Sequence, residues 1–296
     1  MSIINSSALP SLLKNHYILL RHGQSKANVA GVVVSKPENG CAPASLTGFS
    51  PGSCDDNGGW GLTELGKEQA KNAARNILEY LLTSHRISGD TPEPSREPDL
   101  VLKIYTSPFS RALETASIVH DYFSNYIQGS EGDLTSANAP RHIVLCPTVT
   151  TVQDLRERNF GIYEFKTSRE SYNKVWELDN AIECRDEDDG YDDILKRYIE
   201  VEVENCQQVQ ARMCGVVRKI ELNFDFKETE NIGQEDPERI TDGRRETGSK
   251  NEPTESVAIL VGHGDPLKIL QASFEGMKPT AHRKLSYLGN AEWRFF

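Results

Sequence analysis

The feature that most constrains this chain is a short, wholly apolar run, Tyr17 to Leu20, that ends abruptly in Arg21, His22 and Gly23. A run with no polar face is covered on both sides, so it belongs inside a sheet flanked by other layers. Its polar residues then stand at the carboxyl end of the strand, where ligand crevices open in α/β sheets. Arg21 can fork two donors onto an oxyanion, Gly23 lets the backbone come close, and the imidazole is a candidate nucleophile toward phosphorus. These are the makings of a phosphate site.

The rest of the chain alternates in the same manner. Thr63 is a good N-cap for a helix that sets Leu65, Ala70, Ala73, Ala74, Ile77 and Leu81 on roughly one side. Val101 to Thr106 reads as a second strand, running into Ser107-Pro108 and then a helix over 110–125. A third strand is expected around Ile143 to Cys146, and Asn205 with Gln208 has the spacing of a capping box ahead of another helical region. Ser256 to Val261 is a further apolar strand that stops at Gly262-His263-Gly264, with a helix from about Pro266. This alternation predicts an α/β fold with a mainly parallel sheet covered on both faces. Three strands would deliver Arg21-His22, Ser107 and His263 to one pocket, whatever their distance in sequence.

Polar stretches fill the gaps. Residues 84–99 and 128–141 read as loops, and the Gly/Pro/Ser-rich segment 31–61 as a longer one. The charged stretch 227–255 has too few apolar side chains for a core and is expected to be a disordered insertion in a single domain spanning 1–296. A net charge of −11 argues against nucleic acid or an anionic membrane as partner, but a site can be locally positive on a negative protein. No apolar run approaches the roughly 18 residues of a membrane span, and the N-terminus lacks a secretory pattern. Six cysteines without a Cys-x-x-Cys pair fit reduced thiols in the cytoplasm, a Cys41–Cys54 bridge being the alternative.

Four segments, LLRHGQSKAN, TSPFSRALETA, LRERNFG and VGHGDPL, together resemble the histidine phosphatase superfamily in its phosphoglycerate-mutase-like branch. They occur in that family's order and span most of the chain. The resemblance implies a three-layer α/β/α sandwich and a phosphohistidine intermediate, with no metal or other cofactor. It implies His22 as nucleophile, Arg21 and Arg111 as phosphate-binding arginines, and His263 as a second histidine donating to phosphoryl oxygens. Asn28 matches an amide that donates to a phosphate oxygen. Glu157 matches the general acid that protonates the leaving oxygen and then activates water. Asp154 and Glu164 stand close enough to be confused with it, and Asp154, Arg156 and Arg158 read as structural partners or solvated charges.

The residues agree with those roles. An imidazole attacks phosphorus only when neutral, and two nearby arginines would depress its pKa. Arg111 falls in the first turn of a helix, where the dipole favours an anion, although Glu114 three residues on offers it a surface partner. A metal site of His22, His263 and Asp265 is the competing reading of the histidines. Family mutases add basic residues that retain a bisphosphate, including a Leu-Asn-Lys stretch and an Arg-Arg pair. Here the corresponding stretch is GIYEFKTSRESYNKVW, residues 177–193 are rich in acids, and Arg244-Arg245 sits inside the polar insertion. Hydrolysis of a small phosphomonoester is therefore the expectation, ahead of a mutase or a non-catalytic relative that only binds a phosphorylated ligand.

Overall fold

The computed structural model describes residues 8–41, 60–83, 100–129, 143–183, 191–223 and 255–296. In chain order the elements are β1 (His16–Arg21), α1 (Lys26–Ala30), α2 (Pro37–Gly40), α3 (Glu64–Thr83), β2 (Leu100–Thr106) and α4 (Ser110–Ile127). Then come β3 (Ile143–Leu145), β4 (Thr150–Thr151), α5 (Ser168–Glu183), α6 (Tyr191–Glu200), α7 (Cys206–Asn223), β5 (Glu255–Gly262), α8 (Gly264–Phe274) and β6 (Trp293–Phe295). The strands form one sheet in the order β3-β2-β5-β1-β6, with β4 paired to the end of β2. All pairings are parallel except β1 with the short edge strand β6.

Alternation along the strands builds the layers. Ile18 and Leu20 face a core made with α3 and α4, including Ile77, Leu78, Leu81, Val119 and Phe123. Tyr17 and Leu19 face the opposite core, with Met213, Val217, Leu267 and Leu270 of α7 and α8. β1 and β5 are covered on both faces, which is why their interiors carry no polar side, while β2 admits one half-buried cation, Lys103. A third cluster, Val33, Phe160, Val175, Leu178, Tyr198 and Val203, packs α5 and α6 beyond the sheet.

Local signals fix the helix starts. Thr63 Oγ1 accepts from the Gly66 backbone N–H at 3.0 Å, and Asn205 and Gln208 close a reciprocal capping box at 2.8 and 2.9 Å. Leu65 departs from expectation. It is 54 % exposed, because the buried stripe of α3 begins at Gly66 and Ala70, so the first turn lies outside the contact with α4. Glu255 opens β5 rather than closing the polar insertion; residues 227–254 of that expected insertion lie outside the described residues. So do 42–59 of the 31–61 loop, the 84–99 loop, most of 128–141, Arg244-Arg245 and the Cys54 half of the Cys41–Cys54 alternative. Cys206 and Cys214 are buried thiols on α7. No helix among the described residues is long and apolar enough to cross a membrane.

Strand register sets the site. Arg21 lies opposite Gly262 and Thr106 opposite Val261, so β1, β5 and β2 end level with one another. The next residue of each strand is His22, His263 or Ser107. Three neighbouring strands thus present two imidazoles and a hydroxyl at one edge.

Candidate active site

The turn after β1 is tightly built. A Cβ on Gly23 would stand 2.3 Å from the Gly66 carbonyl oxygen, and one on Gly66 would stand 2.0 Å from that of Gln24. Only two glycines let the start of α3 close on this turn. The Gly23 N–H donates to Thr115 Oγ1 of α4 at 3.1 Å, which ties the turn to the helix that carries Arg111.

His22 is buried, and its Nδ1 lies 2.7 Å from the Gly23 carbonyl oxygen. A carbonyl only accepts, so Nδ1 carries the proton and Nε2 keeps its lone pair. Arg111 Nε donates toward that lone pair at 3.2 Å. Burial, with the charges of Arg111 and Arg21, holds the His22 pKa well below the ordinary histidine value. The ring is therefore neutral, with its free lone pair turned away from the backbone.

Arg111 sits in the first turn of α4. Its Nη2 donates to the Val34 carbonyl at 2.9 Å, and its guanidinium lies over the Phe109 ring at 5.0 Å. Glu114 takes no part in this; its carboxylate accepts from the Leu62 N–H at 3.0 Å. Arg21 is held at Nη1 by the Tyr287 hydroxyl at 2.7 Å and the Leu288 carbonyl at 2.8 Å.

His263 precedes α8 and is fully buried. Its Nε2 is 2.8 Å from Ser107 Oγ, which also accepts the Phe109 N–H at 3.3 Å. Of these two neighbours only Nε2 can accept the hydroxyl proton, so Nδ1 bears the hydrogen of the neutral ring. Burial and the Arg111 charge keep that ring neutral, its pKa well below the ordinary value.

Three buried donor atoms here have no hydrogen-bond partner: Arg21 Nε, Arg111 Nη1 and His263 Nδ1. Leaving buried donors unmade is costly, about 1–3 kcal/mol each and more for charged groups. Their grouping with the His22 lone pair makes a set of donors suited to an oxyanion with several acceptor oxygens.

Glu157 closes the site from an irregular stretch between β4 and α5. Its Oε1 accepts the Arg158 N–H at 2.9 Å, and its Oε2 stands 3.7 Å from His263 Nδ1 and 3.8 Å from Arg111 Nη2. Burial pushes its pKa up to about 7 against the opposing pull of Arg111, with Asp265 adding to the rise. Its neighbours face elsewhere. Glu164 accepts from Ser35, Lys36 and Asn39, and Asp154 faces Arg156 and Lys219.

Asn28 is exposed on α1, and its Oδ1 accepts the Ser25 N–H and hydroxyl, both at 3.0 Å, in a capping box. Its backbone and amide oxygen thus serve the helix start rather than the cluster around His22. Asp265 gives one oxygen to Arg158 at 3.0 Å and the other to His282 at 3.1 Å, and is held well below the carboxylate range. It is thereby withdrawn from the two site histidines. Among the described residues no group of three or more His, Cys, Asp or Glu is placed to hold a metal.

Ser107 was expected at the pocket as the end of a strand but without a role of its own, and Tyr287 carried no sequence signal. Tyr172 meets Phe160 edge to face, with ring centroids 4.8 Å apart; burial first, then the Glu157 and Asp265 charges, hold its phenol well above the usual value. Arg158, with no exposed surface, forks onto Asp179 at 2.8 Å through both terminal nitrogens.

No family model matches the chain, and no curated protein matches it. The fold is similar to several solved structures. A protein described as mycobacterial hydrolase 1 aligns over 95 % of this chain and 88 % of its own, at 18 % identity and a TM-score of 0.49. A mycobacterial glucosyl-3-phosphoglycerate phosphatase complexed with VO3 aligns over 95 % and 90 %, at 18 % identity and 0.47. A phosphoserine phosphatase of Entamoeba histolytica in complex with 3-phosphoglyceric acid aligns over 95 % and 90 %, at 17 % identity and 0.46. Likeness at this distance does not bear on chemistry, which is argued below from the site.

Proposed function

We propose that this chain is a member of the histidine phosphatase superfamily that hydrolyses a small phosphomonoester through a phosphohistidine on His22. The observation that carries the reading is the grouping of three unpartnered buried donors, Arg21 Nε, Arg111 Nη1 and His263 Nδ1, beside the free lone pair of His22 Nε2. A phosphoryl group lying there meets a nucleophile and the donors that its equatorial oxygens require. The motif resemblance points the same way.

The steps follow from the protonation states. His22 Nε2 attacks phosphorus and the bond to the ester oxygen breaks. Glu157, protonated near neutrality, gives its proton to that oxygen, so an alcohol departs. The resulting carboxylate takes a proton from water, whose oxygen attacks phosphorus while the P–N bond breaks, releasing inorganic phosphate. Arg21 and Arg111 hold the transferring group throughout, and His263 donates from Nδ1. Incoming phosphate displaces the Arg111 contact to Nε2. Asn28, if it reaches phosphate, does so through its amide N–H groups, since its oxygen caps α1.

Buried thiols Cys206 and Cys214 suit a reducing compartment and are our support for a cytoplasmic location. The functional test is release of inorganic phosphate from a panel of phosphomonoesters, scored by kcat/KM, with His22→Ala and 2- to 3-phosphoglycerate exchange as controls. Release lost in His22→Ala and faster than exchange supports hydrolysis. Release unaffected by His22→Ala, or exchange dominating, overturns it.

A further inference from the structure

The stretch that carries Glu157 has almost no secondary structure of its own. Between Val152 and Phe160 there is one short 3-10 turn, Gln153–Leu155, and no strand ladder to set the height of residue 157. A general acid on such a segment has to be held in register by something else.

Arg212 of α7 does this with three of its five N–H donors. Its Nη1 donates to the carbonyls of Asp154 at 2.6 Å and Arg156 at 3.0 Å, and its Nη2 to that of Glu157 at 3.4 Å. The remaining two N–H groups, on Nε and Nη2, fork onto Glu204 Oε1 and Oε2 at 2.7 and 2.9 Å. A guanidinium has five N–H donors, and five oxygen acceptors surround this one, with the Met213 sulfur 3.6 Å from Nη1 as a weaker sixth contact. Arg212 and Glu204 are nearly buried, so the pair is shielded from solvent screening. Burial alone would raise the Glu204 carboxyl, but the bonds and charge of Arg212, with Arg156, hold it below the ordinary value. Glu204 in turn accepts from the Asn159 N–H at 3.3 Å and from Arg156 at 3.3 Å, gripping the far side of the same stretch.

We infer that Arg212, oriented by Glu204, is the positioning residue for Glu157: it fixes the backbone from 154 to 157 so that the carboxyl meets the leaving oxygen. Arg212 lies on α7, 55 residues from Glu157 in sequence, and is held off the reacting atoms by the main chain it binds. A lysine keeps the charge but cannot span three carbonyls and a carboxylate. The inference rests on reading Glu157 as the general acid.

The test compares kcat/KM for p-nitrophenyl phosphate, whose leaving group needs no proton, with that for an alkyl phosphate, whose leaving group does. Arg212→Lys and Glu204→Gln should each lower the alkyl-to-nitrophenyl ratio by about tenfold or more, in the direction set by Glu157→Gln, within the range of general-acid effects. Parallel loss on both substrates, with the ratio unmoved, would mean a merely structural role and overturn the inference. Should Arg212→Lys fail to fold, Glu204→Gln, which keeps volume and acceptor, decides by the same ratio. A Glu157→Gln variant that leaves the ratio unchanged overturns the underlying acid assignment. A shift in Glu157→Gln without one in the other two variants overturns only the role of Arg212.

Discussion

Replacing Glu157 with glutamine removes a carboxyl whose burial costs the protein stability once it ionises. Burial raises its pKa from 4.5 to about 7, so the folded protein prefers it protonated while the unfolded chain does not. For a group raised on folding, stability is fully present below the unfolded value and is lost as pH climbs through the folded one. The window runs from about 4.5 to about 7. At about 1.4 kcal/mol per decade the loss amounts to roughly 2–3 kcal/mol between pH 5 and pH 8. Glutamine has the shape of the neutral acid and no charge to lose. Glu157→Gln should therefore match the wild type within about 1 kcal/mol at pH 5 and exceed it by roughly 2–3 kcal/mol at pH 8. Urea unfolding of both proteins at the two pH values reads this directly, since other titrating groups largely cancel in the difference. A stability difference that does not change with pH, or a variant that is weaker at pH 8, would refute an elevated carboxyl at 157.

Three further outcomes follow from the same geometry. With substrate ionisation corrected for, kcat/KM should fall as pH rises through about 7, as Glu157 loses its proton, and should show no acid limb near 6.5, because burial and arginine charge keep His22 and His263 neutral; a pH-rate profile checks both. Ser107→Ala should cost about 1–3 kcal/mol of stability by orphaning a buried N–H and ring nitrogen. It should also lower kcat/KM on good and poor leaving groups alike, since it disturbs the His263 donor and not the acid. Tyr287→Phe keeps a ring that is 71 % exposed but removes one anchor of Arg21, so KM should rise about fivefold while melting shows little change.

The parts of the molecule legible in sequence are those whose cause is local. β1, β2 and β5 announce themselves because a strand covered on both faces is apolar along nearly its whole length, and Thr63 and Asn205 because a cap is a short-range bond. His22, Ser107 and His263 were legible for a different reason, their place at the ends of strands, whereas Arg111 and Glu157 were picked out by the motif resemblance alone. The edge strand β6 was not visible: three residues, Trp293–Phe295, have no periodicity and exist as a strand by pairing with β1. Helices α5 and α6 went unread within a stretch dominated by acids and polar residues, where burial of Val175, Leu178 and Tyr198 against Phe160 decides the matter. Asn28 shows the limit of motif register, since a cap and an oxyanion contact ask for the same residue type. The hold of Arg212 on the 154–157 stretch was invisible because the partners there are main-chain carbonyls, which every sequence supplies everywhere.

The central claim is that His22 Nε2 becomes phosphorylated. Rapid acid-free quenching of a single turnover with a 32P-labelled phosphomonoester, followed by peptide mapping, measures it. The account predicts an acid-labile, base-stable label on the peptide containing His22, absent in His22→Ala and longer-lived in Glu157→Gln, where activation of water is lost. Label on any other residue, or full turnover by His22→Ala with no phosphoenzyme, would contradict it.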